Sequence, residues 1–190
     1  MLIQGLGFGT VNKIFLEFRK PWWNRSWGGV NFITDLSKAT GDWEDKIFGF
    51  FTVRNQPNLL ISWISGAAAR KFETLSEADA LQKCSALLRE AVGEEFKYEE
   101  PTKLIRTLWH SNPNFRGSYS YRSTKSKDLD VWASDLAEPV VDSYDQTRLL
   151  FAGEATHDHR YSNVHAAVET GWREADRIIE LMKSSPSSKL

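Results

Sequence analysis

Three short segments near the start of the chain constrain its fold most, because each combines aromatic and β-branched residues as β-strands do. They are residues 13–18 (KIFLEF), 47–53 (IFGFFTV) and 58–65 (NLLISWIS), and Gly, Pro or Asn residues bound them. Asn55 and Pro57 separate the second segment from the third, so we predict an antiparallel pair joined by a loop. The first part of the chain is therefore predicted to form a sheet.

A helical pattern follows the predicted strands. Ser76 precedes Asp79 by three residues, the spacing of a capped helix start, and Gly93 ends the pattern. The helix is predicted to be amphipathic and to lie on a core. Its apolar residues are Ala80, Leu81, Cys84, Leu87, Leu88 and Ala91.

The rest of the chain mixes irregular and regular segments. Residues 102–109 are predicted to form a strand, and residues 110–145, rich in Ser, Asn, Pro and Tyr, to form a long ordered loop. Residues 149–152 are predicted to form a short strand, and a helical pattern extends over residues 164–182. The apolar side of this last helix consists of Val164, Ala167, Val168, Trp172, Ala175, Ile178 and Ile179.

Charge and cysteine content exclude several classes of function. The 190 residues include 24 basic and 25 acidic ones, which favours neither nucleic acid nor a membrane surface as a partner. Cys84 is the only cysteine, so an internal disulfide and a cysteine-based zinc site are excluded. The longest mostly apolar stretch, residues 59–69, has about half of the ~20 residues that span a bilayer, and we predict neither a transmembrane segment nor secretion.

Three segments resemble one known family. Residues 149–179 (LLFAGEATHDHRYSNVHAAVETGWREADRII) resemble the closing FAD-binding segment of the flavin amine oxidases, most closely of the spermine and acetylpolyamine oxidases. Residues 6–13 (LGFGTVNK) resemble the flavin-site lysine motif of this family, and residues 109–121 (WHSNPNFRGSYSY) resemble its aromatic motif. The chain is thus identified as similar to the C-terminal portion of such an oxidase.

The resemblance implies an α/β fold, with this chain as an α+β fragment of a two-domain flavoprotein. Residues 1–145 would form part of the substrate-binding domain, with a mixed sheet, a helix and flavin-facing motifs. Residues 146–183 would supply the last strand and helix of the FAD domain, and residues 184–190 a flexible tail.

The cofactor that the resemblance implies is FAD, and two of its predicted neighbours lie far apart in sequence. Lys13 matches the lysine that holds a water at the flavin N(5) atom, which makes it the catalytic candidate. Trp109 matches a tryptophan that packs beside the flavin.

Four further cofactor contacts are implied near the end of the chain. Gly153 and Glu154 match the turn whose carboxylate contacts the ribityl and diphosphate region, where a carboxylate needs hydroxyl or N–H partners. Asn163 and Val164 begin the last helix, whose N-terminus suits the anionic pyrimidine end of a reduced flavin through backbone N–H groups.

The implied substrates are polyamines and O₂, and three residues match substrate-side positions. Tyr119 matches one wall of an aromatic slot, and flat aromatic walls can hold an amine cation while excluding water. Tyr161 and Ser162 match a tyrosine and a hydroxyl, whereas Asn163 stands where the family has threonine. Although His157, His159 and His165 cluster nearby, their spacing matches no standard metal site, and we predict no metal.

The glycine-rich turn that opens a dinucleotide-binding flavoprotein is absent. Residues 5–9 give G-x-G-x-G, which lacks the spacing of G-x-G-x-x-G. This absence predicts a fragment that alone binds FAD poorly and is inactive. A non-catalytic truncated protein and a histone-demethylase-like oxidase remain the alternatives to a polyamine oxidase.

The chain ends in Ser188, Lys189 and Leu190, the signal that the peroxisomal import receptor reads. An oxidase that releases hydrogen peroxide suits that compartment. We therefore predict a peroxisomal protein, with the cytoplasm as the alternative.

Overall fold

The computed structural model describes residues 2–33, 37 and 39–184, which fall into two compact units. Residues 10–118 form the first, here called the sheet unit. The second, here called the helix unit, combines the described residues of 1–9 and 119–190. The units divide at residues 118 and 119, whereas the functional division at residues 145 and 146 stays a prediction.

Short strands and five helices make up the regular structure of the described residues. The strands are β1 (Gly7–Gly9), β2 (Val11–Glu17), β3 (Gly29–Asn31), β4 (Gly49–Val53), β5 (Gln56–Ser65), β6 (Lys103–Arg106), β7 (Tyr119–Tyr121), β8 (Val140–Val141) and β9 (Thr147–Leu149). The helices are α1 (Leu2–Gly5), α2 (Gly66–Glu73), α3 (Glu77–Val92), α4 (Thr124–Asp128) and α5 (Val164–Ser184). Single 3-10 turns lie at Trp43–Lys46, Gly93–Glu95, Ala133–Ala137 and Glu154–Thr156.

The sheet unit is built on one sheet with the strand order β3-β4-β5-β2-β6, in which every pair is antiparallel. The prediction of a mixed sheet is therefore wrong for this unit. Alternate residues of β2 are buried, so one face of the sheet lies on the core and the other does not. Residues of α2 and α3 complete that core, among them Phe72, Cys84 and Leu88. The core also contains large side chains from the loops and neighbouring strands: Phe18, Trp43, Ile47, Phe50 and Leu60.

Most of the predicted elements of the sheet unit are confirmed. The strands predicted at residues 13–18, 47–53 and 58–65 correspond to β2, β4 and β5, and β4 pairs with β5 as predicted. The Ser76 hydroxyl accepts the Asp79 N–H at 3.0 Å and so begins α3. Ala91, which we placed on the buried side of this helix, is exposed.

The strand predicted at residues 102–109 is shorter than expected. β6 ends at Arg106, and beyond it the hydrogen bonds with β2 involve side chains as well as backbone groups. The Lys13 N–H donates to the Thr107 hydroxyl at 2.9 Å, and the Trp109 N–H points at Asn12. Side-chain acceptors therefore replace the regular ladder at this end of the sheet.

The helix unit contains two small antiparallel pairs, β1 with β7 and β8 with β9, together with α1, α4 and α5. The predicted strand at residues 149–152 is wrong, since β9 ends at Leu149 and residues 150–152 have no strand partner. The last helix is confirmed as α5. However, much of its apolar side is exposed: Val164 is 84% and Trp172 66% accessible.

No helix among the described residues is long and apolar enough to cross a membrane. Residues 188–190, the predicted import signal, lie outside the described residues, as does the rest of the predicted tail except Ser184.

Candidate functional site

The sheet unit carries two of the predicted site residues, Lys13 and Trp109. Lys13 lies in β2 between the buried Asn12 and Ile14, so its half-buried side chain is on the face away from the core. Its carbonyl accepts the Thr107 N–H at 3.1 Å. Lys13 is therefore fixed through its backbone while its side chain remains accessible.

Trp109 lies just after β6, where the chain leaves the sheet. Its ring meets Phe115 edge to face, with centroids 5.1 Å apart and planes at 90°. Its N–H faces Asn12 Oδ1 at 3.4 Å. Since Asn12 directly precedes Lys13, its buried side chain links the backbone at Trp109 to the strand that carries Lys13.

The other seven predicted residues lie in the helix unit, where Glu154 is the centre of a network. Its Oε1 accepts the Ser120 N–H at 2.9 Å, and its Oε2 accepts the Ser120 hydroxyl at 2.7 Å. Oε2 also accepts the Ser162 N–H, and the Ser162 hydroxyl donates to the Ser120 carbonyl. The Glu154 carboxylate thus has the hydroxyl and N–H partners that a carboxylate beside a diphosphate needs, and it joins β7 to the loop before α5.

Ser120 was not among the site residues predicted from the sequence. It stands between Tyr119 and Tyr121 in β7, and alternation along a strand puts it on the opposite face from both tyrosines. The buried Ser120 faces Glu154, whereas Tyr119 and Tyr121 are 38% and 48% exposed. The alternation in residues 119–121 (YSY) could have indicated this division.

Gly153 forms the turn that presents Glu154. Its φ of +143° lies in a region that favours glycine, and it directly precedes the 3-10 turn Glu154–Thr156. The Gly153 N–H donates to the hydroxyl of the buried Thr170 at 3.0 Å, and its carbonyl accepts the Thr156 N–H at 3.0 Å. The turn is therefore held against α5.

The start of α5 is open to solvent. Asn163 accepts the Ala167 N–H on its backbone carbonyl at 3.2 Å, and its side chain donates to the carbonyls of Arg160 and Tyr161. Val164, the first residue of α5, is 84% exposed. The first N–H groups of a helix lack partners within it, so this end can donate to an anionic or carbonyl oxygen.

A second network fixes the loop that carries Tyr161 and Ser162. The His157 ring meets Glu169 of α5 through Nε2 at 2.8 Å, and its Nδ1 accepts the N–H groups of His159 and Arg160. Arg160 also donates to Glu169, at 2.7 Å. The hydrogen bond from His157, and then the charge of Arg160, hold the pKa of Glu169 below its ordinary value.

No group of three or more His, Cys, Asp or Glu residues within the described part of the chain is arranged to hold a metal ion. Of the clustered histidines, His157 has protein partners at both ring nitrogens, so its position is explained by hydrogen bonding within the chain.

Comparison with known proteins identifies the relatives of the chain. Residues 2–179 match the model of a family described as flavin containing amine oxidoreductase. This match confirms the predicted resemblance, and FAD is the cofactor that it implies. A bovine peroxisomal N(1)-acetyl-spermine/spermidine oxidase is 37% identical, over an alignment that covers 94% of this chain and 37% of the relative.

Two further relatives broaden the comparison. A Drosophila melanogaster protein described as a possible lysine-specific histone demethylase 1 is 30% identical, over 97% of this chain and 20% of its own length. The solved structure of a putrescine oxidase bound to putrescine has a TM-score of 0.66 and 19% identity, over 95% of this chain and 37% of that chain. This structural similarity confirms the predicted fold class. The chain spans well under half the length of these relatives.

Proposed function

We propose, from the premise that this chain belongs to the flavin-containing amine oxidoreductase family, that it carries part of a polyamine-oxidising site. The observation that supports this most is the hydrogen-bonded group of Ser120, Glu154 and Ser162. Glu154 and Ser162 belong to the predicted FAD-binding segment and Ser120 to the predicted aromatic motif, and the serines provide the partners that a carboxylate beside a diphosphate requires.

The residues of the helix unit suit a flavin nucleotide by their donors and acceptors. Glu154 uses three protein donors and, as a carboxylate, has room for about one more, such as a ribityl hydroxyl. The N–H groups at the start of α5, beside Asn163 and Val164, would face the pyrimidine edge. Gly153 keeps the backbone free of a side chain at the turn.

When bound, FAD accepts a hydride from the carbon next to an amine nitrogen, and the two electrons then pass to O₂, which leaves as hydrogen peroxide. The imine product reacts with water to give an aldehyde and an amine. Lys13 would hold the water at the flavin N(5) position, and Trp109 would cover the ring. The half-exposed Tyr119 would present a flat wall to the amine, with Tyr161 and Ser162 on the substrate side.

Polyamines are the proposed substrates, and the peroxisome is the proposed compartment. The bovine relative is described as a peroxisomal oxidase of acetylated polyamines, and residues 188–190 of this chain carry a matching import signal, to be bound by the import receptor. A histone peptide is the competing substrate, since the Drosophila relative is described as a possible histone demethylase.

Lys13→Met tests this proposal in the flavin-loaded protein that contains this chain. Methionine keeps most of the side-chain volume but removes the charge and the donors, so folding and flavin content should persist. We expect flavin reduction by spermine or its acetylated form, or reoxidation by O₂, to slow by ~10²-fold. Stopped-flow flavin absorbance separates these two half-reactions.

Lys103→Met is the matched control, because Lys103 lies opposite Glu17 on the same outer face of the sheet and is exposed. Its rates should equal those of the parent. If Lys13→Met also leaves both half-reactions unchanged, the role of Lys13 is wrong. If methylated lysine peptides are oxidised and polyamines are not, the substrate is wrong while the flavin chemistry stands.

A further inference from the structure

A partly buried polar cluster in the sheet unit, formed by Asn12, Glu73 and Thr107, contacts the backbone at both Lys13 and Trp109. Asn12 is completely buried, and its Nδ2 donates to Glu73 Oε1 at 2.7 Å. Its Oδ1 accepts the Thr107 hydroxyl at 3.2 Å and faces the Trp109 N–H at 3.4 Å. The Thr107 hydroxyl in turn accepts the Lys13 N–H.

Glu73, the last residue of α2, extends the cluster along the chain beyond Trp109. Its Oε1 also accepts the His110 N–H at 2.9 Å, and its Oε2 accepts the Ser111 N–H at 2.7 Å. Burial raises the pKa of this carboxyl, but the hydrogen bonds from Asn12, His110 and Ser111 outweigh that effect and lower it. Glu73 is thus held as a carboxylate that accepts N–H groups from consecutive residues.

The helix that carries Glu73 is itself fixed. The Arg106 guanidinium donates to the carbonyls of Phe72 and Leu75 at 2.7 and 2.6 Å, and it lies 5.3 Å from the centre of the Phe72 ring. Phe72 is completely buried in the core. Glu73 therefore lies at a fixed helix end, and its oxygens hold the N–H groups of His110 and Ser111 in place.

This arrangement occurs just beyond the end of β6, where the N–H groups of Trp109, His110 and Ser111 face side-chain acceptors rather than a neighbouring strand. Without the cluster, these N–H groups would lose their acceptors in the protein, and that loss is costly wherever water cannot replace them. Trp109 and His110 are half-buried, whereas Ser111 is exposed. The cluster thus supplies hydrogen-bond acceptors to the segment that carries Trp109, as a neighbouring strand does within the sheet. It also links that segment to the strand that carries Lys13.

We propose that Asn12 and Glu73 are positioning residues that hold Trp109 and Lys13 in register at the flavin. The inference rests on the proposed function, because it assumes that both residues face the cofactor. Neither Asn12 nor Glu73 touches the reacting atoms. They act by fixing the backbone at Lys13 and Trp109, whose side chains would lie at the flavin.

Glu73→Gln tests the inference in two measurements. Glutamine places an NH₂ group where one carboxylate oxygen accepts an N–H, so two donors would face each other. In the 190-residue chain, amide hydrogen exchange at His110 and Ser111 should accelerate at least ~10-fold. In the flavin-loaded protein that contains the chain, the rate of reduction per bound flavin should fall ~10-fold, with little change in KM.

The control is Glu90→Gln, an exposed glutamate of α3, which should leave exchange at His110 and Ser111 and the rate per flavin unchanged. Unchanged exchange in Glu73→Gln would overturn the cluster as the support of this segment. Faster exchange with an unchanged rate per bound flavin would reduce Glu73 to a structural residue and overturn the positioning role. A parent protein that binds no flavin would instead contradict the proposed function, while the exchange measurement still decides the local role.

Discussion

The two units differ in what they bury. The sheet unit encloses a core of large side chains, in which Phe18, Trp43, Phe50 and Phe72 are at most 1% accessible. The hydrophobic residues buried in the described helix unit are small: Val131, Ala133, Ala137 and Ala166. Because apolar burial is the main stabilising contribution to folding, we expect the sheet unit to be much the more stable of the two.

The helix unit relies on polar contacts instead. Glu174 of α5 is 5% accessible and accepts hydrogen bonds from Arg173 and Arg177. These arginines also donate to the carbonyls of Thr156 and Ala137 and so attach α5 to two 3-10 turns. The residues predicted for flavin and substrate lie mostly in this unit, so the contacts that position them are hydrogen bonds rather than a packed core.

Two tryptophans provide the largest expected contrast. Trp43 is 1% accessible and packs on Phe72 with ring centroids 4.9 Å apart, whereas Trp172 is 66% exposed on α5. Trp43→Ala should cost about 3–5 kcal/mol of stability, and Trp172→Ala should change it by less than about 0.5 kcal/mol. Urea denaturation of the chain measures both.

The reactivity of Cys84 provides a second, independent measurement of the contrast between Trp43→Ala and Trp172→Ala. Burial, and to a smaller extent the charge of Glu44, raise the pKa of its thiol to about 12, so it should resist thiol reagents at neutral pH while the core is intact. Trp43→Ala should accelerate its labelling and Trp172→Ala should not. Equal effects of the two substitutions would mean that the units do not differ as described.

A smaller effect is expected from the polar contacts of the helix unit. Glu174→Gln removes the charge that Arg173 and Arg177 share, and it should destabilise α5 locally by about 1–3 kcal/mol. Glu180→Gln, on the exposed side of the same helix, should have an effect within about 0.5 kcal/mol. Hydrogen exchange within α5 measures both effects. If Glu174→Gln has as small an effect as Glu180→Gln, the contacts of Glu174 contribute nothing to the stability of α5.

The local elements could be predicted because their determinants lie close together in sequence. Runs of aromatic and β-branched residues bounded by Gly, Pro or Asn predicted β2 and β5, and the Ser76 cap predicted the start of α3. The exposure of Val164 and Trp172 could not be predicted, because periodicity gives the apolar side of a helix but not whether anything covers it.

The site was predictable only as far as the family motifs reach. They gave Lys13, Trp109 and Glu154, but the partners of these residues depend on contacts between distant segments. Ser120 lies 34 residues from Glu154 in sequence, and Asn12 lies 61 residues from Glu73. A buried polar side chain shows in the sequence only as an interruption of an apolar pattern, which does not identify its partner.

The difference between the units is tested most directly by comparing hydrogen exchange in α3 and α5 within the intact chain. Both helices are amphipathic, but α3 contributes Ala80, Cys84 and Leu88 to the core of the sheet unit, whereas α5 buries Ala166, Thr170 and Glu174. We predict that amides in the middle of α3 exchange at least ~10²-fold more slowly than those in the middle of α5. Protection of α5 equal to or greater than that of α3 would contradict the account.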